Sequence, residues 1–229
     1  MTTYAWPDFC VNAFQMRVRP NVLTFTGPYT PAVQTLDLSG ERWYIQFDTT
    51  PGNTREGSGD REAFWDRLLG PVHRVAMWNL ARPLPLGTMR GGYVVNVVNG
   101  ALAAVNVVNG ALQPVTVIGG GPSLISNAAA GANTISMRGQ SGRTLRAGDM
   151  LGIGGQLVRV VSPVTFDGSS SATVEFLPRL RASVPAYTEI IYDKPTATFM
   201  LMSDGVPTVN RPAKVYDGAS VEMIETYIV

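Results

Sequence analysis

The run from Leu145 to Arg181 constrains this chain more than any other stretch. It opens Leu145-Arg146-Ala147-Gly148-Asp149-Met150-Leu151-Gly152-Ile153 and turns at Gly154-Gly155. It continues Gln156-Leu157-Val158-Arg159-Val160-Val161, reaches a second turn at Asp167-Gly168, and ends Ala172-Thr173-Val174-Glu175-Phe176-Leu177-Pro178-Arg179-Leu180-Arg181. β-Branched and apolar runs bounded by glycine and Asp-Gly turns read as strand, turn, strand, turn, strand and proline stop. Gly152-Ile153-Gly154-Gly155 lacks the third glycine of a dinucleotide fingerprint, and a strand follows where that motif needs a helix N-terminus. The stretch therefore predicts a hairpin at Gly154-Gly155, with no catalytic group in a recognisable arrangement.

The rest of the chain follows the same pattern. Phe14, Met16 and Val18 alternate with Gln15, Arg17 and Arg19, and Trp43, Ile45 and Phe47 alternate with Arg42, Gln46 and Asp48. Period two gives one apolar and one polar face, the mark of a half-buried strand. Gly27-Pro28-Tyr29-Thr30-Pro31 is a turn-forming connector between them. Val72–Trp78, Thr134–Met137, Glu189–Asp193, Ala197–Met202 and Val221–Ile228 also read as strands, and Arg82–Gly87 as an extended linker. One helix is predicted at about 60–69. Asp60 would cap it, Phe64 and Leu68 would share a face beside Trp65 and Leu69, and Gly70-Pro71 would end it. The fold class is mainly β: an antiparallel β-sandwich or barrel with one short helix and an inserted uncharged β-meander.

That insert is the segment 91–122. Asn96-Val97-Val98-Asn99-Gly100-Ala101-Leu102 recurs unchanged as Asn106-Val107-Val108-Asn109-Gly110-Ala111-Leu112. Asn-Gly favours the type I′ hairpin turn, so two copies predict strands over Tyr93–Val98, Ala101–Val108 and Ala111–Ile118. An uncharged meander exposes aggregation-prone edges. It is covered either within the fold or by a partner, and Asn99, Gly100, Asn109 and Gly110 are the candidate interface residues. The expected organisation is an N-terminal β domain with the helix (1–90), the meander (91–122) and a C-terminal β-rich region (123–229). The last would pack with the first part into one or two domains.

Composition narrows the function. A chain of 229 residues with 45% hydrophobic content holds one large β domain or two small ones. A net charge of +1 supplies no field for nucleic acid or an anionic membrane. Cys10 is the only cysteine, so no internal disulfide forms, and the first residues lack the basic and apolar regions of a signal peptide. No span reads as a transmembrane helix. A serine or cysteine triad would have to use His73, the only histidine, which alternates with apolar positions and reads as structural. Gly139-Gln140-Ser141-Gly142-Arg143 lacks the last glycine of a nucleophile elbow. There is no Cys/His cluster and no calcium loop, and Asp149, Asp167, Asp204 and Asp217 sit at Gly-flanked turns where aspartate is expected for backbone reasons. No catalytic residue, metal ligand or cofactor site is therefore assigned. A glycosidase would need paired carboxylates from separate strands. A carbohydrate-binding platform would need exposed aromatics, whereas Trp43, Trp65 and Trp78 occupy core-like positions.

The order of features resembles a family. Arg42-Trp43 on a strand precedes a helix with Glu62-Ala63-Phe64-Trp65 and Leu68-Leu69-Gly70, then Pro85-Leu86-Gly87-Thr88. The Ala147-Gly148-Asp149 cassette, Pro178-Arg179-Leu180-Arg181 and Pro195-Thr196-Ala197-Thr198-Phe199-Met200-Leu201 follow. This order is similar to that of the tail-tip structural proteins of long-tailed bacteriophages, above all the distal tail proteins. The resemblance covers most of the chain but not the repeat. It implies a non-enzymatic virion protein at the phage tail tip, made in the bacterial host cytoplasm. Such a protein forms a homo-oligomeric ring, a hexamer or a trimer, between the tail tube protein and the baseplate hub and tail fibre proteins. It implies no nucleic-acid or membrane partner and no cofactor. The alternative is a virion-borne receptor- or carbohydrate-binding β module.

Overall fold

The computed structural model describes residues 1–7, 9–26, 33–38, 40–50, 55–89, 121–202 and 220–226. It is mainly β with antiparallel sheets and one α-helix, as the strand patterning requires. The expected meander strands and Asn99, Gly100, Asn109 and Gly110 lie outside the described residues.

In chain order, β1 (Thr3–Ala5) and β2 (Val11–Arg19) lead into a hairpin of β3 (Val22–Thr26) and β4 (Val33–Asp37). β5 (Arg42–Thr49), α1 (Arg55–Leu68) and β6 (Arg74–Met77) follow. Beyond residue 120 come β7 (Ser123–Leu124), β8 (Thr134–Arg138), β9 (Thr144–Leu145), β10 (Met150–Ile153), β11 (Gln156–Val160), β12 (Val164–Thr165), β13 (Ser171–Leu177) and β14 (Ile190–Ile191). β15 (Ala197–Leu201) and β16 (Ser220–Glu225) are the last of the described strands.

The first sheet runs β1-β6-β15-β16-β5-β2. Its inner face carries the alternating residues read from the sequence, with Trp43, Ile45, Phe47, Val75, Met77, Phe199, Leu201, Val221 and Met223 all buried. α1 covers part of that face with Phe64, Trp65 and Leu68. Trp6 sits edge-on to Phe47 and Phe64, with ring centroids 5.3 and 5.9 Å away. Such edge-to-face contacts add to the burial of the rings themselves.

The second sheet runs β14-β10-β11-β13-β8-β7 and curls until its ends meet. Ser123 bridges Glu189, Ile190 N–H donates to the Pro122 carbonyl at 2.8 Å, and Leu124 N–H donates to the Thr188 carbonyl at 3.0 Å. Closure removes the unpaired edges that an open sheet exposes. The interior is mostly aliphatic, with Leu151, Ile153, Val158, Val160, Val174 and Ile190 around Phe176. The glycine hairpin lies where the sequence puts it: Ile153 pairs with Gln156 across Gly154 and Gly155, both at positive φ. This barrel enters the chain between β6 and β15 of the first sheet.

Three local expectations need correction. The helix begins at Arg55, so Asp60 lies inside it and does not cap it. Gly57, Ser58 and Gly59 are poor helix formers and read as loop, but intrinsic propensity is a weak prior that tertiary packing overrides. The strand expected from Val72 begins at Arg74, because a short 3-10 turn over Gly70–Val72 ends the helical segment, with Leu69 and Gly70 at positive φ. Residues flanking the Gly27–Pro31 connector form β3 and β4, which the sequence reading left unassigned.

Candidate binding site at the seam between the sheets

The first sheet and the barrel meet along a seam of cross-strand contacts. Met150 and Leu157 of the barrel pack into the core of the first sheet. Trp43 Nε1 donates to the Leu157 carbonyl at 2.7 Å, so the largest buried side chain of the first sheet is fixed by barrel backbone. Glu225, only 2% exposed, accepts from Trp43 N–H at 3.0 Å with Oε2 and from Arg181 Nη1 at 2.9 Å with Oε1. Arg181 Nη2 also contacts Glu225 Oε2 and donates to the Glu41 carbonyl at 3.2 Å. A two-pronged Arg–carboxylate pair that also holds a backbone N–H satisfies the charges that burial would otherwise leave costly.

Beside this pair opens a cleft of about 770 Å³. Its floor is Ile153, Leu180 and Val184 with the Gly154-Gly155 turn. A Cβ on Gly154 would lie 2.9 Å from Val184 Cγ2, so glycine is needed there for space as well as for its φ of 56°. Its polar lining is Glu41, Gln156, Arg179, Arg181 and Glu225. Arg179 pairs with Asp37 at 3.5 Å, and Gln156 spans from the Arg179 carbonyl (2.8 Å) to Arg181 N–H (2.9 Å). These polar groups are engaged in hydrogen bonds or ion pairs, and no nucleophile and base are paired among them. What the cleft offers is apolar and polar lining together, a binding geometry.

A second knot ties the linker to the barrel. Asp149 is 2% exposed and its carboxylate accepts from Leu86 N–H (2.6 Å), Gly87 N–H (3.3 Å) and Arg146 N–H (2.8 Å). Gly87 is required, because a Cβ would stand 2.0 Å from the Thr144 carbonyl oxygen. Asp149 therefore does more than shape its own turn: it clamps the segment that crosses from the first sheet to the barrel.

The other residues weighed from sequence are scattered. His73 Nδ1 accepts from Thr2 N–H at 3.3 Å and its ring meets Tyr4 edge-on at 5.8 Å. Cys10 is exposed. Asp167 accepts from Ser169 and Ser171, a turn that orders the start of β13. Trp6, Trp43 and Trp65 are buried, and Trp78 is half-buried with Lys194 Nζ 5.2 Å over its ring. Among the described residues no group of three or more His, Cys, Asp or Glu is placed to hold a metal ion. No described helix is long and apolar enough to cross a membrane.

The sequence reading missed the β3–β4 hairpin. It pairs with neither large sheet, and Leu23, Phe25 and Leu36 are 47%, 53% and 51% exposed. Leu23 stands opposite Leu36, and Phe25 lies on the same face two residues along. The signal was present as β-branched and apolar residues on both sides of a Gly-Pro turn. No protein-family model matches the chain, and no match emerges among curated proteins.

Proposed function

We propose that the chain is a structural subunit of a bacteriophage tail tip, of the distal tail protein kind. It forms a homo-oligomeric ring between the tail tube and the baseplate hub and fibres, and it turns over no substrate. The order of sequence features described above motivates this reading. The observation that carries it is the β3–β4 hairpin. A two-stranded ribbon is marginal by itself, and an apolar face outside both cores is the kind of surface that a neighbouring subunit covers. Strand addition at its edges would extend the pairing into that subunit. The virion tail tip is the corresponding location.

Native mass spectrometry of the purified chain, with negative-stain images, tests the proposal. A closed sixfold or threefold ring is the expected result. A monomer that stays monomeric when mixed with tail tube and hub proteins would defeat it. The carbohydrate-binding alternative draws less support, because Trp6, Trp43 and Trp65 are committed to the core.

A further inference from the structure

One aromatic ring of the barrel stands outside its core, on a backbone that its side chain disfavours. Tyr187 is 59% exposed and sits at a φ of 64°. A bulky residue holds that left-handed conformation only where its surroundings fix it, and an exposed ring offsets none of the strain by burial. Here the surroundings do fix it. The segment from Val184 to Thr188 runs antiparallel to the segment from Leu124 to Ala128 and is bonded to it at each end. Val184 and Ala128 exchange backbone bonds of 2.8 and 2.9 Å, and Ala186 N–H donates to Asn127 Oδ1 at 2.8 Å. Tyr187 N–H donates to the Leu124 carbonyl at 2.9 Å, and Leu124 N–H to the Thr188 carbonyl at 3.0 Å. Thr188 Oγ1 closes the turn by donating to the Pro185 carbonyl at 2.8 Å.

The segment that holds this turn also borders a hollow of about 140 Å³. Ser126 and Asn127 line it from that segment, Thr134 and Ser136 from β8, and Thr173 from β13. Ser136 stands opposite Thr173 across the two strands. Their neighbours Ile135 and Val174 are buried in the barrel, so the hydroxyls lie on its outer face. Among the described residues, the hydroxyls of Ser126, Thr134, Ser136 and Thr173 have no hydrogen-bond partner, and no charged residue lines the hollow. Each hydroxyl both donates and accepts. Such a lining suits a neutral ligand dense in hydroxyls and selects neither anion nor cation. The volume is small against the roughly 300–1,000 Å³ of an ordinary ligand pocket, which limits the occupant to one small ring.

We propose that Tyr187 and this hollow form a binding site for a single neutral sugar residue. The Tyr187 ring, held out by its turn, packs against the C–H face of the sugar. The hydroxyls of Ser136 and Thr173 and the Asn127 amide bond the sugar's hydroxyls. Asn127 joins the two halves of the site, because its Oδ1 fixes the residue before Tyr187 while its side chain lines the hollow. The site goes beyond the structural role proposed above. It is built within the barrel alone, so it does not depend on ring formation.

Amide NMR of the full-length protein tests this. Methyl glycosides of glucose, galactose, mannose and N-acetylglucosamine are titrated separately, with glycerol as the open-chain control. At least one sugar is expected to move the Asn127, Ser136, Thr173 and Tyr187 signals together, with one apparent Kd, while Ile45 and Val221 of the first sheet stay still. Tyr187→Gly removes the ring and suits the left-handed backbone. It should unfold at a temperature no lower than the parent's and bind roughly fivefold more weakly or worse. Thr173→Val keeps the side-chain shape without its hydroxyl and should weaken binding about threefold. Signals that move no more with any of the four sugars than with glycerol would overturn the site. Binding unchanged in Y187G would overturn the role of the ring. If Y187G unfolded at a lower temperature, T173V would decide, and undiminished binding there would overturn the site.

Discussion

The barrel takes all six of its strands from residues 123–191, whereas the first sheet joins strands from residues 3–77 to strands from 197–225. Their cores differ in kind as well. Trp6, Trp43, Phe47, Phe64, Trp65 and Phe199 fill the first, and mostly aliphatic side chains fill the second. The barrel closes on itself, and mostly aliphatic side chains together with Phe166 and Phe176 fill its interior. The first sheet stays open, so its inner face must be covered from outside, by the rings and helix at one part and by Met150 and Leu157 of the barrel at another. The open sheet thus depends on the closed one more than the reverse. That dependence runs through the seam, where Trp43 and Glu225 meet Leu157 and Arg181.

The most severe test of this asymmetry is Glu225→Ala. It leaves the Arg181 guanidinium without its buried carboxylate and Trp43 N–H without an acceptor. Removing one partner of a buried pair costs roughly 3–5 kcal/mol, readable as a lower urea midpoint. Hydrogen exchange should show the first sheet losing protection while β10, β11 and β13 keep theirs. Equal loss in both would mean one cooperative unit and would break the comparison. A smaller effect is expected from Asp149→Ala on the barrel side. Three backbone N–H groups lose a charged acceptor, at a cost of roughly 2–3 kcal/mol. Limited proteolysis should then cut near Leu86, and an uncut linker would show that Asp149 is not its clamp.

How far the sequence foretells this arrangement depends on the range of the interaction. The Gly154-Gly155 hairpin, the alternation at Trp43, Ile45 and Phe47, and the strand before Pro178 are local, and their residue types declare them. Closure at Ser123 and Glu189 is not local, nor is the return of β15 and β16 to the first sheet. Strand partners are chosen by packing between distant segments, which periodicity does not encode. Asp149 shows the same limit: its turn position was legible, but its bonds to Leu86 and Gly87 cross more than sixty residues of chain. The cleft draws on residues from Gly40 to Thr226, so no sequence window contains it. The helix start was misread because Gly57 and Gly59 carry a strong loop signal.

Next in size is the hairpin, which sharpens the comparison by belonging to neither core. Phe25→Ser and Leu36→Ser replace exposed side chains, so folding stability should change by no more than about 0.5 kcal/mol. Assembly is where the effect should appear. If the proposed ring forms, size-exclusion chromatography with light scattering should show the variants as monomers, while their thermal unfolding matches the parent. Unfolding of the variants at much lower temperature would instead make the hairpin part of the fold.

The smallest expected effect lies at the barrel's Asp167 turn and concerns pH. Hydrogen bonds from the Ser169 hydroxyl, then from Ser171 N–H, hold the Asp167 pKa below its ordinary value of 3.8, against a weaker opposing effect of desolvation. A carboxylate whose folded pKa is depressed contributes stability above the unfolded value. That contribution fades as pH falls through the folded value. The difference in Tm between the parent and Asp167→Ala should therefore be constant near neutrality and shrink only below pH 3.8. The side chain is fully exposed, so the difference should be modest, and added salt should reduce it further. If it stayed unchanged into acid, the turn would owe its order to the backbone of Ser170, which sits at positive φ, and not to the ionised carboxylate.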